Sequence, residues 1–165
     1  MGHVGRYPAA SLDRGARLVT TTVWALAAGL TILGVVVAVV ASVVTGAVLI
    51  GGAASVAALA LAFRPRQPVA YVTDESGLEI VRAGASARRF EGAIADVRRG
   101  KLGLRIAGDG GAYGYLGRFR ADGRTVDAFV TDRAGVVLLR VGERTLAISP
   151  ADPDGFVASI GGRHA

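Results

Sequence analysis

The chain has no cysteine, a single methionine, a single tryptophan and only two histidines. Without cysteine there are no disulfides, no thiolate metal sites and no cysteine nucleophile, although the compartment stays unassigned. The histidines, His3 and His164, sit at the extreme ends of the 165 residues, where chain order is ordinarily poor. Neither a histidine metal centre nor a Ser-His-Asp triad is expected. Charge is also missing over one long stretch: the 46 residues from Leu18 to Phe63 carry none.

That stretch raises the apolar fraction to 52% and the mean hydropathy to +0.45. One membrane crossing takes about 20 apolar residues, so 46 suit two helices rather than one. The least lipophilic part, Ser42–Gly46, marks the turn, with spans near 19–41 and 45–63. In the second half Gly51, Ser55 and Leu59 recur every four residues, as do Ala54, Ala58 and Ala62. Small residues at that spacing let helices approach closely. A cleaved signal peptide has a much shorter apolar region. A soluble hairpin of this length would carry some charge, and lipidation at Gly2 would want Ser or Thr where Arg6 stands. The expected form is therefore a transmembrane helical hairpin over 18–63. Arg14 and Arg17 precede it, and Arg64 and Arg66 follow it. Positive flanks face inward, so both termini are expected to be cytoplasmic in a multi-pass protein of the cell membrane.

The net charge of +6 and the pI of about 10.7 invite a nucleic-acid reading. Its distribution argues otherwise. Residues 1–68 hold five arginines against Asp13, while residues 69–165 hold 14 basic and 12 acidic groups. A nucleic-acid module concentrates charge on its folded part, so no nucleic-acid partner is expected. Within the second part, 82–105 is the basic region, with seven cations against Glu91 and Asp96. From it Arg88, Arg89, Arg98, Arg99, Lys101 and Arg105 are the candidates for contact with anionic lipid headgroups or a protein partner.

After a 1–17 cytoplasmic tail and the hairpin, RPRQP at 64–68 reads as a stiff linker, its prolines stopping the helix. The period then changes. VAYVTD, LEIVRA, GAIADVRR, LRIAG, YLGRFRA, RTVDAFVT, VVLLRV and RTLAIS read as short antiparallel strands between turn signals. In RTVDAFVT, Val126, Ala128 and Val130 share one face, and Phe129 interrupts the polar one. A closing helix follows, with Asp152 as its N-cap, Pro153 at its first position and Phe156, Val157 and Ile160 on one face. A short sheet set with a helical plug is a partly open barrel of about seven strands closed by a C-terminal helix, over 69–161, with 162–165 as a tail.

The segments YVTDESGLEIVR, GYLGRFR and AFVTDRAGVVLLRVGERTLAISPADPDGFVASI are similar to bacterial pleckstrin-homology-like (PH-like) domains, some of which carry a pair of membrane helices. The likeness covers roughly 69–160 and implies a PH-like barrel with a C-terminal helix. It implies no reaction. In eukaryotic members, basic residues in the loop joining the first two strands bind phosphoinositides. Here that loop, Thr73–Gly77, is acidic, so inositol-phosphate recognition does not carry over.

A catalytic constellation is missing. Asp74/Glu75 and Asp152/Asp154 are turn acids, and Ser76, Ser86, Ser149 and Ser159 have no histidine in the module to activate them. GGAYGYLGRFR at 110–120 superficially resembles a phosphate cradle, but its glycines do not open a helix. Gly110–Gly111 are expected to turn the chain, Phe119 to enter the core, and the tyrosines to pack at the rim with wet hydroxyls. The expected function is non-enzymatic, without metal or cofactor: a bilayer-anchored module that scaffolds a protein partner at the membrane surface or senses that surface. The alternative is an accessory subunit of a transport or envelope enzyme complex, contacting it through the helices.

Overall fold

Asp13 starts the first long helix: its carboxylate accepts the Ala16 amide at 2.7 Å. In the computed structural model, which describes residues 4–161, α1 runs from Arg14 to Val40 and α2 from Val43 to Phe63. His3, His164 and the expected 162–165 tail lie outside the described residues. Ser42 caps α2 through the Thr45 amide at 3.4 Å. At 1.5 Å per residue the helices are about 40 and 31 Å long, enough for a hydrocarbon layer. Both are long and apolar enough to cross a membrane, and only 11% and 17% of their most apolar windows are buried. Thr20, Thr31 and Ser55 return their hydroxyls to carbonyls four residues back, so these polar groups need no water.

The helices meet along Ala27 and Gly34 of α1 and Gly46, Ala53 and Ala60 of α2. Seven-residue spacing keeps small residues on one seam, as in coiled coils. A methyl on Gly34 would stand 2.7 Å from Ile50 and 3.0 Å from the Gly46 carbonyl, so the backbones touch there. The rows at four-residue spacing are not this seam: Gly51 has open space around it, and Ala54, Ser55, Ala58, Leu59 and Ala62 are exposed. A four-residue row winds around a helix and cannot follow a nearly parallel partner for long.

Two sheets follow, and they do not close into a barrel. The first has the order β1 (Gly5–Pro8), β2 (Pro68–Asp74), β3 (Gly77–Arg82) and β4 (Arg88–Glu91), all antiparallel. The second has six strands in the order β5 (Ile94–Arg99), β9 (Val137–Val141), β10 (Arg144–Ile148), β8 (Arg124–Val130), β7 (Gly114–Ala121) and β6 (Arg105–Gly111). The eight expected strand runs are all present, and β1 and β4 are additional. The β8–β10 pairing is parallel, against the antiparallel expectation, because β9 lies beyond β10 and the chain returns beside β8.

Between the sheets lie Tyr71, Leu78 and Ile80 from the first, Phe129, Leu139 and Ile148 from the second, and Phe156 and Ile160 from α3 (Pro153–Gly161). The Asp152 carboxylate accepts the Gly155 amide at 2.9 Å and caps α3. Val126, Val130 and Leu138 face the opposite side of the second sheet, covered by Leu12, Ala16 and Leu102. Both faces of β8 are therefore apolar, which accounts for Phe129 on its other face.

Residues 5–13, within the stretch expected to be a tail, are built into this module. Beyond the β1–β2 pairing, the Ala10 amide donates to the Ser149 carbonyl at 2.8 Å and Thr131 Oγ1 donates to the Ala10 carbonyl at 2.6 Å. Tyr7 packs edge-on against Phe156 at 4.7 Å. Behind them Tyr71 Oη donates to the Phe129 carbonyl at 2.7 Å and accepts the Ser149 amide at 3.2 Å. Burial pushes the Tyr71 phenol up to about 12, against the opposing pull of Ser149.

Candidate functional site

The six basic candidates go to three places. Arg89 is neutralised by Asp74 at 2.6 Å and Glu79 at 3.3 Å across β3 and β4. Its hydrogen bond, together with a stronger one from Ser76, holds the Asp74 carboxyl down at about 2. Arg98 pairs with Asp122 at 2.5 Å, and Arg99 with Asp154 at 3.5 Å and the Ala134 carbonyl at 3.1 Å. With Lys101 these two line an open recess beside Arg133. Arg88 and Arg105 instead reach a cavity of about 660 Å³ between the two sheets, where α2 ends.

Arg66 and Arg82 complete that cavity's basic wall, one from the turn after α2 and the other from the end of β3. Aromatic rings and carbonyls hold these guanidiniums. Arg88 lies 5.1 Å over the Phe90 ring and 5.4 Å from Phe129, and Arg66 lies 5.3 Å over Phe63. Arg82 Nε donates to the Ser86 carbonyl at 2.7 Å, and Arg105 to the Gly108 carbonyl at 3.2 Å. None of the four has a carboxylate within ion-pair distance among the described residues. Two carboxylates also line the cavity. Asp127 is engaged by Arg144 at 3.6 Å, whereas Asp109 Oδ2 is buried without a hydrogen-bond partner. Burial pushes the Asp109 carboxyl up, opposed by the amides of Ala112, Gly111 and Gly110 and by the charge of Arg105.

Part of the floor is bare backbone. Gly108 and Gly117 face each other across β6 and β7 with φ of 111° and 124°. A Cβ on either would stand 2.8 Å from the other's Cα, so only glycine fits the pair.

The hairpin that carries these glycines docks on α1. Its turn is Ala112–Tyr113, with Tyr113 in the left-handed region at φ 59°. The Tyr113 amide donates to Thr20 Oγ1 at 3.2 Å, and Trp24 Nε1 donates to Tyr113 Oη at 2.9 Å. Tyr115 Oη donates to Asp13 at 3.2 Å under the Arg133 guanidinium, 5.3 Å from the ring. Burial, reinforced by Asp13, pushes the Tyr115 phenol up. The tyrosine hydroxyls are thus bound by protein rather than wet, Phe119 is buried as expected, and Arg118 and Arg120 are exposed. Sequence spacing carries no signal for Arg66 and Arg82 joining Arg88 and Arg105; a lone tryptophan near the start of an apolar span, with tyrosines at a hairpin tip, is the one cue to the docking.

Two long apolar helices bear a two-sheet module capped by a C-terminal helix, with a basic cavity where the second helix ends, and this defines a PH-like domain joined to a helical hairpin. A family model described as Bacterial PH domain matches residues 69–164, more than half of the chain, and the chain belongs to that family. Among curated proteins and among solved structures nothing matches it.

Proposed function

We propose that this protein is a non-enzymatic PH-like module anchored in the cell membrane, with both termini and the module at the cytoplasmic face, where it senses the membrane surface or holds a protein partner. The observation that carries the reading is the fixed junction between hairpin and module. Asp13 caps α1 while binding Tyr115 and the Arg133 amide, and Tyr113 binds Thr20 and Trp24. A module held this way presents one face, the face with Arg66 and Arg88, toward whatever surrounds the helix ends. Arg14, Arg17, Arg64 and Arg66 at those ends favour the cytoplasmic side.

The absence of native cysteine makes the orientation directly testable. Glu143→Cys, in the exposed turn between β9 and β10, should react with an impermeant maleimide in inside-out vesicles and stay unlabelled in right-side-out ones. Labelling from the outside would overturn the reading. A second reading, the accessory subunit, is favoured by the exposed Ala54–Ala58–Ala62 row, which α1 leaves uncovered. Under that reading, replacing both helices with an unrelated hairpin abolishes function while the module stays folded.

A further inference from the structure

We propose that the cavity between the two sheets is a binding site for an anionic phosphate ester, with Arg66, Arg82, Arg88 and Arg105 taking the phosphate. The inference rests on the membrane-anchored reading above and adds the site and the chemistry of what it takes.

Arg89, Arg98, Arg99, Arg140 and Arg144 each have a carboxylate at 3.6 Å or less. The four cavity arginines come from three separate parts of the chain and have none. Like charges gathered in a partly enclosed space repel, and an anion is the natural counter-charge. Asp127 does not supply it, because Arg144 holds it.

The four guanidiniums are also preorganised. Stacking on Phe90, Phe129 and Phe63 and bonds to the Ser86 and Gly108 carbonyls fix each guanidinium while leaving other N–H groups free. Planar guanidinium forks match phosphate oxygens in pairs. The bare Gly108–Gly117 floor leaves room, and about 660 Å³ is ordinary for a small-ligand site.

The site is not the turn between β2 and β3. That turn is acidic and closed by Arg89, and it lies about 17 Å away along β3. Phe63 and Arg66 instead place the cavity beside the last residues of α2, at the depth of a lipid headgroup.

The test uses the full chain, both in dodecyl-maltoside micelles and in nanodiscs. One arm compares phosphatidylcholine nanodiscs with and without phosphatidylglycerol, reading hydrogen exchange at 82–88 and 105–109 and the lipid retained in native mass spectrometry. The other titrates glycerol 1-phosphate into the micellar protein. Protection by phosphatidylglycerol alone supports the site with a lipid as its source, and binding of glycerol 1-phosphate supports it with a soluble ester. In either arm Arg88→Gln/Arg105→Gln should lose about tenfold or more in affinity, while Arg98→Gln/Arg99→Gln, which removes the same charge elsewhere, should not. Arg66→Gln, in the turn outside both sheets, gives the same direction of change if the double variant folds poorly. No binding in either arm, or equal losses in the two double variants, overturns the proposal. The cysteine labelling of residue 143 is unaffected by that result, so failure of the site and failure of the topology are told apart.

Discussion

Trp24 and Tyr113, 89 residues apart in the chain, share a hydrogen bond in which the indole N–H donates to the phenol at 2.9 Å. The bond joins the early turns of an apolar helix to the tip of a β-hairpin, and it fixes how the module stands on the helical hairpin. Amphipathic aromatics of this kind favour the membrane interface, apolar on one side and polar on the other.

Because Trp24 is the only tryptophan, its fluorescence reports this junction alone. Tyr113→Phe removes the bond and keeps the ring. We expect a shifted emission maximum, faster acrylamide quenching and a stability loss of about 1 kcal/mol. An unchanged spectrum and quenching rate would show that the hairpin tip does not rest on α1.

Asp13 serves three partners: the Ala16 amide at 2.7 Å, Tyr115 Oη at 3.2 Å and the Arg133 amide at 3.2 Å. Asp13→Ala should cost about 2–3 kcal/mol, since a helix cap and two tertiary bonds go together. Asp13→Asn, which keeps an acceptor, should cost less. Equal and negligible losses in chemical denaturation would remove Asp13 from the junction.

Much of the module is legible in the sequence, for a physical reason. Runs such as RTLAIS and VVLLRV pair with near neighbours and end at turn residues, and Asp152-Pro153 announces α3 within its own four residues. β1 is different. GRYP becomes a strand only by pairing with Val72 and Tyr71, more than 60 positions on, and nothing local marks it. RRFE is too short to show alternation, although Phe90 is buried and both arginines are exposed. The candidate site is half legible for the same reason. Arg88 and Arg105 stand out in a basic stretch, but Arg66 and Arg82 meet them only through the packing of the sheets on the end of α2. Arg89, next to Arg88 in sequence, faces Asp74 and Glu79 on the opposite side of its strand.

The helix seam makes a prediction that separates two spacings. A larger side chain at Gly34 or Gly46 collides with the facing backbone, so Gly34→Leu and Gly46→Leu should each destabilise the hairpin by roughly 1–3 kcal/mol. Gly51→Leu, with open space around it, should be tolerated. Thermal midpoints in detergent decide the matter; the reverse order would move the seam to the four-residue row.

Tyr71 is expected to contribute to the alkaline limit of stability. Its folded pKa of about 12 lies above the ordinary 10.0, so burial of the neutral phenol stabilises the fold fully below about pH 10. That contribution, on the order of 2 kcal/mol, is lost as the pH rises through 10 toward 12. Tyr71→Phe leaves the Phe129 carbonyl and Ser149 amide without this partner, so it should be less stable at neutral pH. Its stability should also fall less between pH 10 and 12. A decline as steep as in the parent would assign the alkaline limit to other groups.

Under the proposed function the module stands on the membrane with the cavity end of the first sheet facing the bilayer. Pro68, just after α2, pairs with Arg82, while Glu75 occupies the far end of the same strands. Single cysteines at Ala87 and Glu75, labelled with a fluorophore in nanodiscs that carry a headgroup-attached quencher, measure the difference directly. Strong quenching at position 87 and weak quenching at position 75 are expected; equal or reversed quenching would rule out this orientation.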